Sequence, residues 1–245
     1  MSVERSRDES RSAIQTPQPA NREPAISAWF SAADGAAEGG DWCDAVVRSD
    51  GIIALTIGDV SGHGAPVAES MRAVRTVVLD ALRFVRDPSD VLASANKFVI
   101  DRLDGHLVTA IVALIDQDRR ILRYANAGHP PPLLLTDDRT SWLWRSPADL
   151  PFGVFPRYKA QTHSVDLPAE SLLLFYTDGI TEHDRDGLRG EAELVEVAGS
   201  VYDSRDGDDA RAIAEAILMN SRGLDDAATM VVRSRPSASD YERNI

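Results

Sequence analysis

Two helical stripes stand next to each other in this chain with no strand between them, which rules out a simple repeat of strand, helix and parallel strand. After Gly64, the residues Val67, Met71, Val74, Val78, Leu82 and Val85 recur at steps of three and four. That spacing places one apolar face on an α-helix. Pro88-Ser89-Asp90 opens a second helix, with Val91, Ala95, Phe98 and Leu103 on its inner side. A third is predicted over about 208–221, with Asp208 or Asp209 as N-cap and Gly223 beyond its end. Short strand-like apolar runs surround these helices at 52–57, 108–115, 121–125, 133–135, 172–176 and 229–232. Asp116 to Arg120, between two of the runs, suits an antiparallel hairpin. The predicted class is α+β with antiparallel sheets.

Residues 1–24 alternate Arg with Asp and Glu, hold Pro17, Pro19 and Pro24, and contain few apolar side chains. Such a segment cannot bury enough surface to offset its ordering entropy and reads as a disordered polar tail. Residues 236–245 read as a flexible C-terminal tail. Between them, 25–235 reads as one domain, large enough for a substantial core. The net charge of −13 opposes partners that need a basic surface, so neither nucleic acid nor an anionic membrane is expected. A single cysteine, Cys43, excludes an intrachain disulfide and a thiolate metal site. With no apolar run near the roughly 20 residues a bilayer requires and no secretory leader pattern, the expected compartment is the cytoplasm.

The acidic residues gather at strand ends. Asp59 follows the run 52–57 in Gly58-Asp59-Val60-Ser61-Gly62-His63-Gly64, and Asp178 follows the run 172–176 in Tyr176-Thr177-Asp178-Gly179. Asp225 and Asp226 precede the run near 229, and Asp41 lies in Gly39-Gly40-Asp41-Trp42. A strand fixes a side chain while an adjoining glycine lets the backbone turn and approach an ion. Carboxylates brought together repel, and protonation or a cation must relieve the repulsion. Hard oxygen donors without cysteine or paired histidine favour Mg2+ or Mn2+ over zinc. A single Asp-Gly is more often a turn than a ligand; several at strand ends make the metal reading worth testing.

Six motifs in order carry a resemblance. They are Gly39-Gly40-Asp41-Trp42-Cys43-Asp44, Gly58 to Gly64, Tyr124-Ala125-Asn126-Ala127-Gly128-His129-Pro130-Pro131-Pro132, Leu150-Pro151-Phe152-Gly153-Val154, Tyr176 to Glu182, and Asp225-Asp226-Ala227-Ala228-Thr229. Together they resemble the bacterial SpoIIE/RsbU-type branch of the PPM (PP2C-like) serine/threonine phosphatases. The resemblance implies a central sandwich of two antiparallel β-sheets flanked by α-helices, with a two-metal site (Mn2+ or Mg2+) at one edge. It implies that Asp59 bridges the metals, that the Val60 carbonyl ligates one, and that Asp178 and Asp225 hold the other. Asp226 is the alternative to Asp225, and Asp41 matches a position contacting the second ion. The implied mechanism is attack on phosphorus by a water that two metals activate, held by Asp59, Asp178 and Asp225. The implied substrate is a phosphorylated STAS-domain anti-anti-sigma factor in a partner-switching pathway that regulates a sigma factor. The alternative is a catalytically inactive phosphatase-like module that binds a phosphoprotein without hydrolysis.

Two histidines compete for roles beside this set. His63 is a candidate general acid, though it lies farther from Asp59 than the acid histidine of eukaryotic relatives lies from the bridging aspartate. A helix-start residue is the plainer reading. His129, before three prolines, reads as part of a rigid turn at a sheet margin. Residues 25–47 hold no Arg or Lys, so the phosphate-binding arginine of eukaryotic relatives has no counterpart. Whether the chain forms a homodimer is left open by the sequence.

Overall fold

The computed structural model describes residues 25–32, 39–103, 105–143, 150–157, 160–182, 186–204, 209–218 and 226–234. Both predicted tails lie outside the described residues. Among the described residues, ten strands form two antiparallel sheets of five. One sheet has the order β2 (Asp41–Val47), β3 (Ile53–Val60), β4 (Val108–Asp116), β5 (Ile121–Ala127), β8 (His163–Asp166). The other runs β1 (Ala25–Ser31), β10 (Ala227–Arg233), β9 (Leu172–Tyr176), β6 (Leu133–Thr136), β7 (Arg139–Trp142). Helices α1 (Ala65–Leu82) and α2 (Pro88–Arg102) cover the first sheet, and α3 (Gly187–Ser204) and α4 (Asp209–Leu218) cover the second. The hairpin expected around 116–120 is present as β4–β5.

Four layers require three cores, and the strands divide their side chains among them by parity. In β3, Ile53, Leu55 and Ile57 enter the core between the sheets, while Ala54 and Val60 face α1 and α2. Burial on both faces is why this strand reads as an unbroken apolar run. The helix-side core takes Val67, Met71, Val74, Val78 and Leu82 of α1, the stripe visible in the sequence. In the second sheet, Leu173, Phe175, Met230 and Val232 point between the sheets, and Leu172, Leu174 and Val231 meet α3 and α4. Among the described residues, no helix is long and apolar enough to cross a membrane.

Helix α3 is absent from the sequence reading. Its start at Gly187 and its internal Gly190 and Gly199 weaken the local helical signal. Its inner face is Gly190, Leu194, Ala198 and Tyr202, at a spacing of four. Gly190 is required there because a Cβ would sit 1.8 Å from the Thr181 carbonyl oxygen. At the other end, the Arg233 guanidinium pairs with Asp209 at 2.8 Å and donates to the carbonyls of Val201 and Tyr202. That one side chain joins β10 to the end of α3 and the start of α4. Helix α2 begins as predicted at Pro88, with Asp87 accepting from the Ser89 amide as N-cap.

Candidate metal centre

Parity carries the acidic residues to one place. Asp41 shares the inner face of β2 with Cys43, Asp59 the inner face of β3 with Ile57, and Asp226 the inner-face parity of Ala228 and Met230. Asp178 opens a short 3-10 turn, Asp178–Ile180, directly after β9. All four therefore lie where the core between the sheets opens at its end. Asp41 and Asp59 are paired residues across the β2–β3 ladder. Like charges directly opposite destabilise a sheet, so this pairing calls for something that offsets it.

Asp41 is the most constrained member, at 2 % exposure. Burial pushes its carboxyl well above the ordinary range, and the charges of Asp59, Asp178 and Asp226 push it the same way. The opposing influence is a hydrogen bond donated by the Thr177 hydroxyl at 2.7 Å. That hydroxyl in turn accepts from the Ala228 amide at 2.8 Å, and the Thr177 amide donates to the Ala228 carbonyl. Thr177 thus ties β9, β10 and β2 together at the site. Sequence reasoning passed over it, since its only signal is its place immediately before Asp178.

The glycines beside these aspartates allow the close approach. The Gly40 amide donates to Asp226 Oδ2 at 2.5 Å, and the Val60 amide donates to the Gly40 carbonyl at 3.1 Å. A Cβ on Gly40 would lie 2.5 Å from the Val60 carbonyl oxygen and 3.0 Å from Asp59 Oδ1. A Cβ on Gly179 would lie 1.9 Å from the Asp226 carbonyl oxygen. A side chain at Gly40 would crowd Asp59, and one at Gly179 would collide with the backbone of Asp226.

Of the residues proposed from the sequence, Asp41, Asp59, Val60 and Asp178 are brought together. Asp225 lies outside the described residues, and Asp226 is the described neighbour whose carboxylate reaches the group. His63 is exposed in the loop between β3 and α1, and its imidazole makes no hydrogen bond with the described residues. Among the described residues, no three Asp, Glu, His or Cys side chains are already disposed as a closed ligand set. The donor chemistry nonetheless fits a hard divalent ion: carboxylates and one main-chain carbonyl, with a buried member that lacks a cationic neighbour.

His129 has a different task. Its Nε2 lies 3.0 Å from the Tyr176 carbonyl, which can only accept, so this nitrogen carries the proton. Nδ1 then accepts from the Thr109 hydroxyl at 2.8 Å. The ring joins β4 of one sheet to β9 of the other, and burial lowers its pKa to about 3. Asn126 fixes the backbone of the turn by accepting from the His129 amide and donating to its carbonyl.

Two packed antiparallel sheets between helix pairs form the fold of PP2C-type phosphatase domains. The RsbU and RsbW domains of Rv1364c from Mycobacterium tuberculosis match with a TM-score of 0.81 at 26% identity, covering 96% of this chain and 65% of that one. The PP2C phosphatase domain of SpoIIE from Bacillus subtilis, solved with a fragment of its regulatory domain, matches with a TM-score of 0.74 at 19% identity. That match covers 91% of this chain and 70% of the other. The phosphoserine phosphatase RsbP of Bacillus subtilis (strain 168) is 31% identical over 137 residues, which is 54% of this chain and 33% of RsbP. RsbU of the same strain, also a phosphoserine phosphatase, is 25% identical over 137 residues, 56% of this chain and 41% of RsbU. The chain therefore matches about a third to two-fifths of the length of these curated relatives. The profile of the SpoIIE family (Stage II sporulation protein E) matches residues 49–235, and the chain belongs to that family.

Proposed function

We propose that this protein is a metal-dependent phosphatase that removes phosphate from serine or threonine of a partner protein. The observation that carries the reading is Asp41: a buried carboxylate directly opposite Asp59, with Asp178 and Asp226 as its other charged neighbours. An arrangement that costs stability in the bare protein is accounted for by ions that need those oxygens. Asp41, Asp59, the Val60 carbonyl, Asp178 and one or both of Asp225 and Asp226 would hold two divalent ions, Mn2+ or Mg2+. Bound there, the ions supply charge neutralisation at a phosphoryl group and activation of a water nucleophile.

The chain's own residues have distinct tasks in this reading. Thr177 orients the Asp41 carboxylate, and the Gly40 amide holds that of Asp226. The glycines keep the site open to a phosphoryl group. In this reading His63, exposed in the loop before α1, is a surface residue rather than the general acid. For the substrate we favour a phosphorylated STAS-domain anti-anti-sigma factor in a partner-switching pathway. Support comes from the likeness to the phosphoserine phosphatases RsbP and RsbU, and to an RsbU domain solved together with an RsbW domain.

The test is Mn2+-dependent release of phosphate from p-nitrophenyl phosphate by wild type, Asp59→Ala and Asp178→Asn. Expected are metal-dependent turnover in the wild type and a loss of at least about a hundredfold in each variant. Turnover that persists in EDTA, or that both variants retain, refutes the metal mechanism. Binding of a phosphoprotein with no turnover at all favours the inactive-module alternative.

A further inference from the structure

One rigid segment beside the metal centre keeps apolar side chains exposed. Phe152 is buried in the helix-side core and pairs with Val108, whose carbonyl accepts from its amide at 2.8 Å. The turn that follows is fixed by Asn96 of α2. That buried side chain accepts from the Gly153 amide at 3.0 Å and donates to the Phe155 carbonyl at 2.9 Å. Gly153 has a φ of +85°, and a Cβ there would lie 2.5 Å from the His106 carbonyl oxygen. The backbone over 152–155 is therefore held from both α2 and the start of β4. Yet Phe155 is 55 % exposed, Val154 40 %, and Leu107, one position from the Val108–Phe152 bridge, 48 %.

This surface is continuous with the candidate metal centre on two sides. The Ser61 amide donates to the Leu107 carbonyl at 2.9 Å, and the Leu107 amide donates to Ser61 Oγ at 3.2 Å. Ser61 lies two residues after Asp59. Two residues of strand and one ladder spacing put the Leu107 backbone within about 12 Å of that of Asp59, roughly four residues of extended peptide. On the other side, Pro151 shares the wall of a cavity of about 460 Å3 with Asp178. No Lys or Arg lines that cavity among the described residues, and the net charge of −13 opposes an approaching phosphate. Attraction for a phosphoprotein beyond that of the ions therefore falls to uncharged surface, and residues 150–156 carry no charge. Single apolar residues are ordinary on a protein surface, but a neighbouring set held rigid at the edge of a site marks a binding surface.

We propose that Leu107, Val154 and Phe155 form a docking surface for the protein substrate, which takes an apolar side chain a few residues from the phosphoserine. The proposal rests on the phosphatase reading above and adds to it the class of substrate surface that is recognised. Asn96 and Gly153 fix the segment before the partner arrives, so docking costs little ordering entropy on this side. The gain is the apolar area that both surfaces withdraw from water, with the Phe155 ring as its largest element. A charged side chain in the same place would shed water without finding a partner and is disfavoured.

The experiment uses the full chain with Mn2+ and a set of phosphoserine peptides. One leucine is moved over about two to six residues on either side of the phosphoserine, on an alanine-glycine background, with the all-alanine peptide as reference. Expected is a kcat/KM gain of about tenfold for leucine at one or more positions, equivalent to about 1.4 kcal/mol, and less than about twofold for lysine at the same positions. Phe155→Ser and Leu107→Ser should each reduce the leucine gain to about threefold or less, while p-nitrophenyl phosphate turnover stays within about twofold of the wild type. Phe155 is the more exposed, so its variant carries the test if Leu107→Ser fails to fold. A leucine gain below about twofold at every position overturns the docking surface, as does a gain that lysine matches or that survives in both variants. Equal losses on leucine peptides and p-nitrophenyl phosphate, which a merely structural role would produce, also overturn it. So does a dimer in sedimentation velocity that Phe155→Ser dissociates, because the surface then joins two copies of this chain. Failure of the wild type to hydrolyse any peptide or p-nitrophenyl phosphate overturns the phosphatase reading itself, and the docking surface with it.

Discussion

Acidification from pH 7.5 to 5 should remove about 2 kcal/mol of stability through one side chain, His129. In the folded protein its ring is neutral, donating to Tyr176 and accepting from Thr109, with a pKa lowered to about 3 by burial. In the unfolded chain the ring titrates at about 6.5. Between these values the unfolded state binds a proton that the folded state refuses. The contribution is therefore complete above about pH 6.5 and is lost as pH falls from there toward about 3. At pH 5, about 1.5 units below the unfolded value, the loss is about 2 kcal/mol at ~1.36 kcal/mol per unit. Against a total stability of about 5–15 kcal/mol for a typical domain, that is a large fraction. The assay is urea unfolding at both pH values in EDTA, followed by tryptophan fluorescence, for wild type and His129→Gln. Other titrating groups act alike in the two proteins, so the difference between their losses isolates His129. The wild type should lose about 2 kcal/mol more than the variant. Losses equal to within about 0.5 kcal/mol would refute the neutral, inter-sheet role assigned to the ring.

Three further outcomes are expected. Asp41→Asn should raise the melting temperature in EDTA, because it relieves a buried charge facing three others, while abolishing Mn2+-dependent turnover; a lower melting temperature in EDTA would contradict the electrostatic argument. Arg233→Met should cost about 3–5 kcal/mol by leaving Asp209 buried and unpaired, and adding Asp209→Asn should restore part of it; additive losses in urea unfolding would show that the pair is not coupled. The Cys43 thiol, pushed up to about 12 by burial first and then by Asp44 and Asp41, should not react with Ellman's reagent at pH 8 until the protein is denatured. Rapid labelling of the folded protein would show that β2 opens.

The aspartates could be marked as candidates from the sequence because the signal is local: Asp at the end of an apolar run, most often beside a glycine. For the same reason α1 and α2 were legible, since an apolar stripe at steps of three and four needs no knowledge of its partner. Helix α3 was not, because its glycines lower local propensity, and Gly190 is there for contact with Thr181. The choice between Asp225 and Asp226 was beyond sequence reasoning as well, since two adjacent aspartates offer the same local signal. His129 was read as structural, but its bond across the two sheets could not be foreseen from a turn before three prolines.

The sequence by itself determined the class of fold, the two long consecutive helices and the short acidic motifs that could serve an ion, because each is written in the spacing of neighbouring residues. The tertiary structure alone decided that Asp41 faces Asp59, that Thr177 and Gly40 hold the carboxylates in place, and that a cavity opens beside Asp178. Those facts depend on strand register and on the parity of side chains across two sheets, and residues more than a hundred positions apart meet only once the sheets are packed.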